Sequence, residues 1–225
     1  MIDIYMTKLD FSLAEAYIAK IAEIMPYLDK LKIQCRKDVK DALRSICGET
    51  MIRMIVARKQ GILPAEISFS RTYYGKPYIR DSNIQFNVSH SGEYVVCGIS
   101  TKPIGVDIEE MKDQDIACIA KRFFSNSELQ YLYEEGETLL IERFYELWVL
   151  RESYLKWLGI GLSKPLNSFS ISIADENISV SDKNIMASPS FYSYSENGYR
   201  IAVCSECYEV SNHICNLSMD EALGF

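Results

Sequence analysis

The chain has 225 residues, 48% of them hydrophobic, and 31 acidic against 24 basic side chains leave a net charge of −7. That length suits one large domain or two small ones, each able to bury a core, and the absence of any low-complexity tract excludes a disordered or fibrous chain. An isoelectric point near 5.0 argues against nonspecific attraction to nucleic acid or anionic membrane.

Asp3, Lys8 and Asp10 interrupt the first eleven residues, which do not read as a signal peptide, and no apolar run approaches a membrane span. The expectation is a soluble, cytoplasmic protein. The seven cysteines are an odd number and sit mostly in apolar segments, so reduced thiols are expected. Cys204 and Cys207, followed by His213 and Cys215, have the spacing of a zinc site. On a strand, however, residues three apart face opposite sides.

In chain order, Ile2 to Met6 reads as a strand, and Ser12 with Glu15 has the capping-box pattern of a helix running towards Pro26. Apolar residues at helical spacing predict a second helix from Asp38 to Lys59, stopped by Gly61. Alternation then predicts strands through Ile67–Arg71, Ile84–Val88, Tyr94–Ile99 and Ile104–Glu109, with Ser91 and Gly92 turning between two of them. A short helix near Ile116–Arg122 follows, then a second capping box at Ser125 and Glu128, and a long helix from Thr138 to Leu158 ended by Gly159. The remainder is β, with Phe169, Ile171 and Ile173 alternating and Asn197-Gly198 as a hairpin turn. Helices and hairpin-linked strands in blocks predict an α+β fold.

Four segments carry candidate chemistry. Asp107 and Glu109 lie two apart on a strand and so share a face, where two carboxylates suit a hard cation such as Mg²⁺. Trp148, Glu152 and Lys156 repeat at four-residue spacing along one helix face, putting a proton acceptor beside an ammonium. His90, one of two histidines, stands between Ser89 and Ser91 ahead of Gly92; a Gly-ended run of this kind suits anion binding, and the chain has no Gly-x-Ser-x-Gly elbow. Residues 30 to 44 include Lys30, Lys32, Arg36, Lys37, Lys40 and Arg44 against Asp38 and Asp41, a segment of +4 on a chain that is −11 elsewhere. Lys76 adds a cation on a Gly/Pro turn.

Together and in this order, Tyr74-Gly-Lys-Pro-Tyr-Ile, Phe86-Asn-Val-Ser-His-Ser-Gly, Ile104-Gly-Val-Asp-Ile-Glu and Trp148-x-x-x-Glu-Ser-x-x-Lys resemble the 4′-phosphopantetheinyl transferases of the surfactin-synthetase-activating (Sfp) type. The likeness runs from the basic segment to about Ser170. It implies a monomer of two similar α+β lobes related by a pseudo-twofold axis, 1–104 and 105–225, with coenzyme A and Mg²⁺ in the cleft between them. It also implies transfer of phosphopantetheine from coenzyme A to a serine of an apo peptidyl or acyl carrier protein.

Carried over by motif, Asp107, Glu109 and Glu152 would ligate Mg²⁺. Arg44, Ser45, Lys76, Ser89 and His90 would hold the adenosine phosphates, and Lys156 the pyrophosphate, with Glu152 and Lys156 as the catalytic pair. The carrier would dock near 111–124 and the loop after Gly159, where Lys121, Arg122, Phe123 and Lys164 are expected on the surface. One departure stands out: Arg151 replaces the lysine that usually precedes the catalytic glutamate, which puts the positioning of Glu152 in question. A Mg²⁺-dependent nucleotide phosphohydrolase and a non-catalytic carrier-binding module are the rival readings.

Overall fold

The computed structural model describes residues 1–25, 38–134, 136, 138–174, 177–211 and 213–224. The chain opens with β1 (Asp3–Lys8), α1 (Ala14–Ile24) and the long α2 (Val39–Gln60), followed by β2 (Phe69–Arg71), β3 (Pro77–Ile79), β4 (Gln85–Ser91), β5 (Tyr94–Ser100) and β6 (Ile104–Glu110). Three helices come next: α3 (Ile116–Phe123), α4 (Asn126–Tyr133) and α5 (Leu140–Leu158). Then come β7 (Ser170–Ala174), β8 (Asn177–Ser181), β9 (Ser190–Glu196), β10 (Tyr199–Ser205), β11 (Cys215–Leu217) and α6 (Met219–Leu223).

One sheet has the order β11-β1-β5-β4 and the other β6-β10-β9, with two small hairpins, β2-β3 and β7-β8, beside them. The period of two along β5 decides what each face meets. Val95, Cys97 and Ile99 turn towards α2, where Leu43, Cys47, Met51 and Ile52 close a first core. Tyr94 and Val96 turn the other way, joining Ile4 and Met6 of β1 against Ile104, Val106 and Ile108 of β6 and Ile201 and Val203 of β10. The opposite face of β10, with Ala202 and Cys204, lies under α5 in a third core. Each fully buried Ile, Val or Leu contributes about 1.5–3 kcal/mol, so the middle cluster holds the two sheets together strongly.

The helices start and stop where side chains meet orphan backbone groups. Asp38 accepts the Lys40 amide at the head of α2, and Ser125 and Glu128 exchange reciprocal bonds at the head of α4. The expected Ser12–Glu15 box does not form. Asp10 instead takes both the amide and the hydroxyl of Ser12 to cap a 3₁₀ turn over Phe11–Leu13, and α1 begins only at Ala14. Asn197 and Gly198, at φ +48° and +83°, make the tight turn between β9 and β10.

The tail does not stay with the second sheet. Strand β11 pairs in parallel with β1, and Met219, Ala222 and Leu223 of α6 enter the first core. The two thiols of the Cys204/Cys207 spacing also part, Cys204 lying in the core under α5 and Cys207 against the middle cluster. Among the described residues, no helix is long and apolar enough to cross a membrane.

Candidate active site

Strands β4 and β6 run side by side in parallel at the seam between the two sheets, joined through side chains. Asn87 accepts the Val106 amide at 2.8 Å, Ser89 donates to Asp107 at 2.8 Å, and Ser91 donates to Glu109 at 2.8 Å and accepts the Glu110 amide at 3.1 Å. Alternation explains the set: Asn87, Ser89 and Ser91 share one face of β4, and Asp107 and Glu109 share the opposing face of β6.

Helix α5 lies across the same face of β6, and Gly105 lets it. A Cβ there would stand closer than 3.0 Å to the Ser153 carbonyl oxygen and the Trp157 amide, so only glycine permits this approach. The approach delivers Lys156, whose Nζ is 2.6 Å from Asp107 Oδ1 and 2.8 Å from Ser89 Oγ. Glu152, one turn back, faces the same place. Burial and the neighbouring Asp107 carboxylate raise its pKa. Burial and Asp107 likewise push Glu109 up to about 7. Three mutually repelling carboxyls with one ammonium leave a site short of positive charge.

Among the described residues no three His, Cys, Asp or Glu side chains already stand as a closed metal cage. The donor set nevertheless fits a hard divalent cation whose shell is completed by substrate oxygens and water. Asp107 Oδ2 is buried with no hydrogen-bond partner, and the raised Glu109 and Glu152 carboxyls would regain their charge beside a cation.

The other face of β4 looks into a cleft of about 550 Å³ against α2. His90 lines it with Arg44 and Ser45, so three of the expected phosphate-binding residues come together here. Burial holds the His90 pKa below its usual value. Arg44 is steadied by donating Nε to the Gly92 carbonyl at 2.8 Å and by lying over the Phe11 ring. Arg71 lines the same cleft and was not singled out in the sequence, where it reads only as the exposed end of a strand. Ser89 faces the carboxylates rather than this cleft. Lys30, Lys32, Arg36 and Lys37 lie outside the described residues.

Three cations sit differently from expectation. The Lys76 ammonium is spent on the carbonyls of Ile104, Lys156 and Trp157 rather than turned into the cleft. Arg151 points away from the carboxylates, is 1% exposed, and forms a buried ion pair with Glu128 while donating to the Phe123 and Leu166 carbonyls over the Phe169 ring. Its partner also accepts the Ser125 and Ile171 amides, so this pair fastens α4, α5 and β7 together. Lys164 is buried against Asp182 at 2.8 Å, because the loop after Gly159 folds under the Tyr154 hydroxyl, which shares the same carboxylate. Lys121 and Arg122 are exposed, as expected.

Carboxylates, an ammonium and an adjoining cleft lined by Arg and His equip a protein that handles phosphorylated ligands. Residues 103–204 match the model of the 4′-phosphopantetheinyl transferase superfamily, and 13–102 match that of the 4′-phosphopantetheinyl transferase N-terminal domain. A 4′-phosphopantetheinyl transferase of Bacillus subtilis is 41% identical over 76% of this chain and 79% of the relative. The 4′-phosphopantetheinyl transferase Sfp of B. subtilis strain 168 is 36% identical over 84% and 87%. Among solved structures, Helicobacter pylori holo-[acyl-carrier-protein] synthase in complex with coenzyme A aligns at a TM-score of 0.35 and 24% identity, covering 45% of this chain and 96% of that one. The chain belongs to the 4′-phosphopantetheinyl transferase family and is an enzyme of that class.

Proposed function

We propose that the chain moves the 4′-phosphopantetheine group of coenzyme A to a serine hydroxyl of an apo carrier protein and releases adenosine 3′,5′-bisphosphate. The observation that carries this reading is the meeting of Asp107, Glu109, Glu152 and Lys156 beside the Arg44–Ser45–His90 cleft. In it, Arg44, Ser45 and His90 grip the adenosine phosphates, with Arg71 as an added cation at the rim. Asp107, Glu109 and Glu152 hold Mg²⁺, which when bound supplies positive charge to the pyrophosphate.

The serine oxygen forms a new bond to the phosphorus that carries pantetheine, and the bond from that phosphorus to the bridging oxygen breaks. Glu152 takes the serine proton. Lys156 stabilises the departing 5′-phosphate. Ser89 holds Lys156 in place through its hydroxyl.

In this reading the molecule is a monomer of two lobes related by a pseudo-twofold axis, divided near residue 104, with the tail from Cys215 returning to the first lobe. The support is that each sheet carries one long helix, α2 on one and α5 on the other, and the seam of β4 and β6 lies between them. An acidic carrier helix docks near 111–124, where Lys121 and Arg122 are exposed.

The test is a mass measurement after incubating the protein with coenzyme A, Mg²⁺ and an apo carrier. A gain of one phosphopantetheine on the carrier is expected. Phosphate release without carrier, or carrier binding without any mass gain, would replace transfer by hydrolysis or by a binding module.

A further inference from the structure

We propose that Lys76 is a positioning residue that fastens the two elements bearing the reactive groups to each other, a role that rests on the transferase reading above. Its ammonium has three N–H donors, and three backbone carbonyls take them. These are Ile104 at 2.9 Å, Lys156 at 2.6 Å and Trp157 at 3.2 Å. Ile104 opens β6, the strand that carries Asp107 and Glu109. Lys156 and Trp157 lie in the last turn of α5, the helix that carries Glu152 and Lys156.

Carbonyls in a last helical turn have no partner within the helix, and a cation there also meets the negative end of its dipole. One side chain therefore satisfies the end of the catalytic helix and the start of the carboxylate strand at the same point. It brings a third element with it. Lys76 sits on the turn between β2 and β3, where its carbonyl accepts the Thr72 amide at 2.9 Å and its own amide donates to Thr72 Oγ1 at 3.1 Å. Arg71 and Pro77, on the two sides of that turn, line the cleft beside His90.

The aliphatic stem passes Gly159, the residue that ends α5 at φ +70°, and a Cβ there would fall 2.9 Å from Lys76 Cδ. The lysine and the glycine thus interlock. Burial lowers the ammonium pKa to about 8, in keeping with a group enclosed by protein. With all three donors engaged by the backbone, none is left for a phosphate oxygen. The consequence is a division of labour: the cleft binds through Arg44, Ser45 and His90, and Lys76 sets where Glu152 and Lys156 stand relative to Asp107 and Glu109.

Two measurements test this. On the wild-type protein, an amine-acylating reagent followed by peptide mass spectrometry should label Lys76 about tenfold more slowly than the exposed Lys102, and adding coenzyme A should leave that ratio unchanged. Labelling as fast as at Lys102, with protection only once coenzyme A is added, would overturn the proposal. This footprint requires no turnover and no variant, so it stands apart from the mass assay that tests transfer itself. In the second measurement, Lys76→Met keeps the stem and removes the ammonium. It should lower kcat about tenfold or more, leave the KM for coenzyme A within about twofold, and be partly rescued by Lys76→Gln, whose amide still donates two bonds. A KM for coenzyme A that rises about tenfold at unchanged kcat would make Lys76 a phosphate ligand and overturn the proposal, as would no change in either parameter.

Discussion

Glu109 and Glu152 show how one strand and one helix alter the chemistry of ordinary carboxyls. Both are raised by burial and by Asp107, Glu109 to about 7. A group that binds its proton more tightly folded than unfolded favours the folded state below its unfolded pKa, near 4.5, and that advantage fades as pH rises through about 7. Thermal melts without divalent cation should therefore show stability falling across this window. Glu109→Gln should flatten that fall, and a curve identical to wild type would count against a shifted Glu109. The two faces of β4 separate the roles of neighbouring residues. His90→Ala should raise the KM for coenzyme A about tenfold and leave that for the carrier within about twofold; the reverse pattern in steady-state kinetics would remove His90 from the nucleotide cleft. Glu152→Gln should abolish transfer while the circular dichroism spectrum stays unchanged.

At the scale of elements, the site depends on how closely α5 can lie on β6. Gly105→Ala places a methyl group against backbone atoms that cannot turn aside. Overpacking of this kind costs about 1–3 kcal/mol, and more where the backbone itself must move. Denaturant unfolding should record the loss, and transfer should fall further than stability because Glu152 and Lys156 move away from Asp107. The Arg151–Glu128 pair makes a second element-scale prediction. Arg151→Met strands a carboxylate that is fully buried and should cost about 3–5 kcal/mol, whereas the double change with Glu128→Gln should recover part of it in the same unfolding measurement.

These elements also show what sequence pattern can and cannot reveal. The extents of α2 and α5, the Asn197-Gly198 hairpin and the shared face of Asp107 and Glu109 were legible, because each follows from a local period or turn. The Ser12 box failed because Asp10, two residues earlier, takes the Ser12 amide that Glu15 would have accepted and engages the Ser12 hydroxyl as well. Glu128 was read correctly as a cap, but its second duty towards Arg151 spans 23 residues and leaves no local trace. Lys76 and Lys164 were unreadable for the same reason: a long cation on a loop takes its partner from tertiary structure.

For the molecule as a whole, the return of the tail to the first sheet binds the two ends of the chain to one core. Met219 and Leu223 are each worth about 1.5–3 kcal/mol if exposed by truncation, and the total stability of a domain is about 5–15 kcal/mol. Removing residues 214–225 should therefore lower the melting temperature sharply, even though no proposed catalytic group lies there; a truncated protein melting like the full chain would show that β11 and α6 are dispensable. The seam itself has a further consequence. Because β4 and β6 meet through side chains at alternate positions rather than through a strand ladder, their alignment is stored in three short polar residues, Asn87, Ser89 and Ser91. The intervening positions, Phe86, Val88 and His90, turn to the other side and line the ligand cleft, Phe86 and Val88 also packing into the first core. One strand thus sets the stance of the carboxylates with one face and shapes the cleft wall with the other, so a change at either set of positions reaches only one of the two.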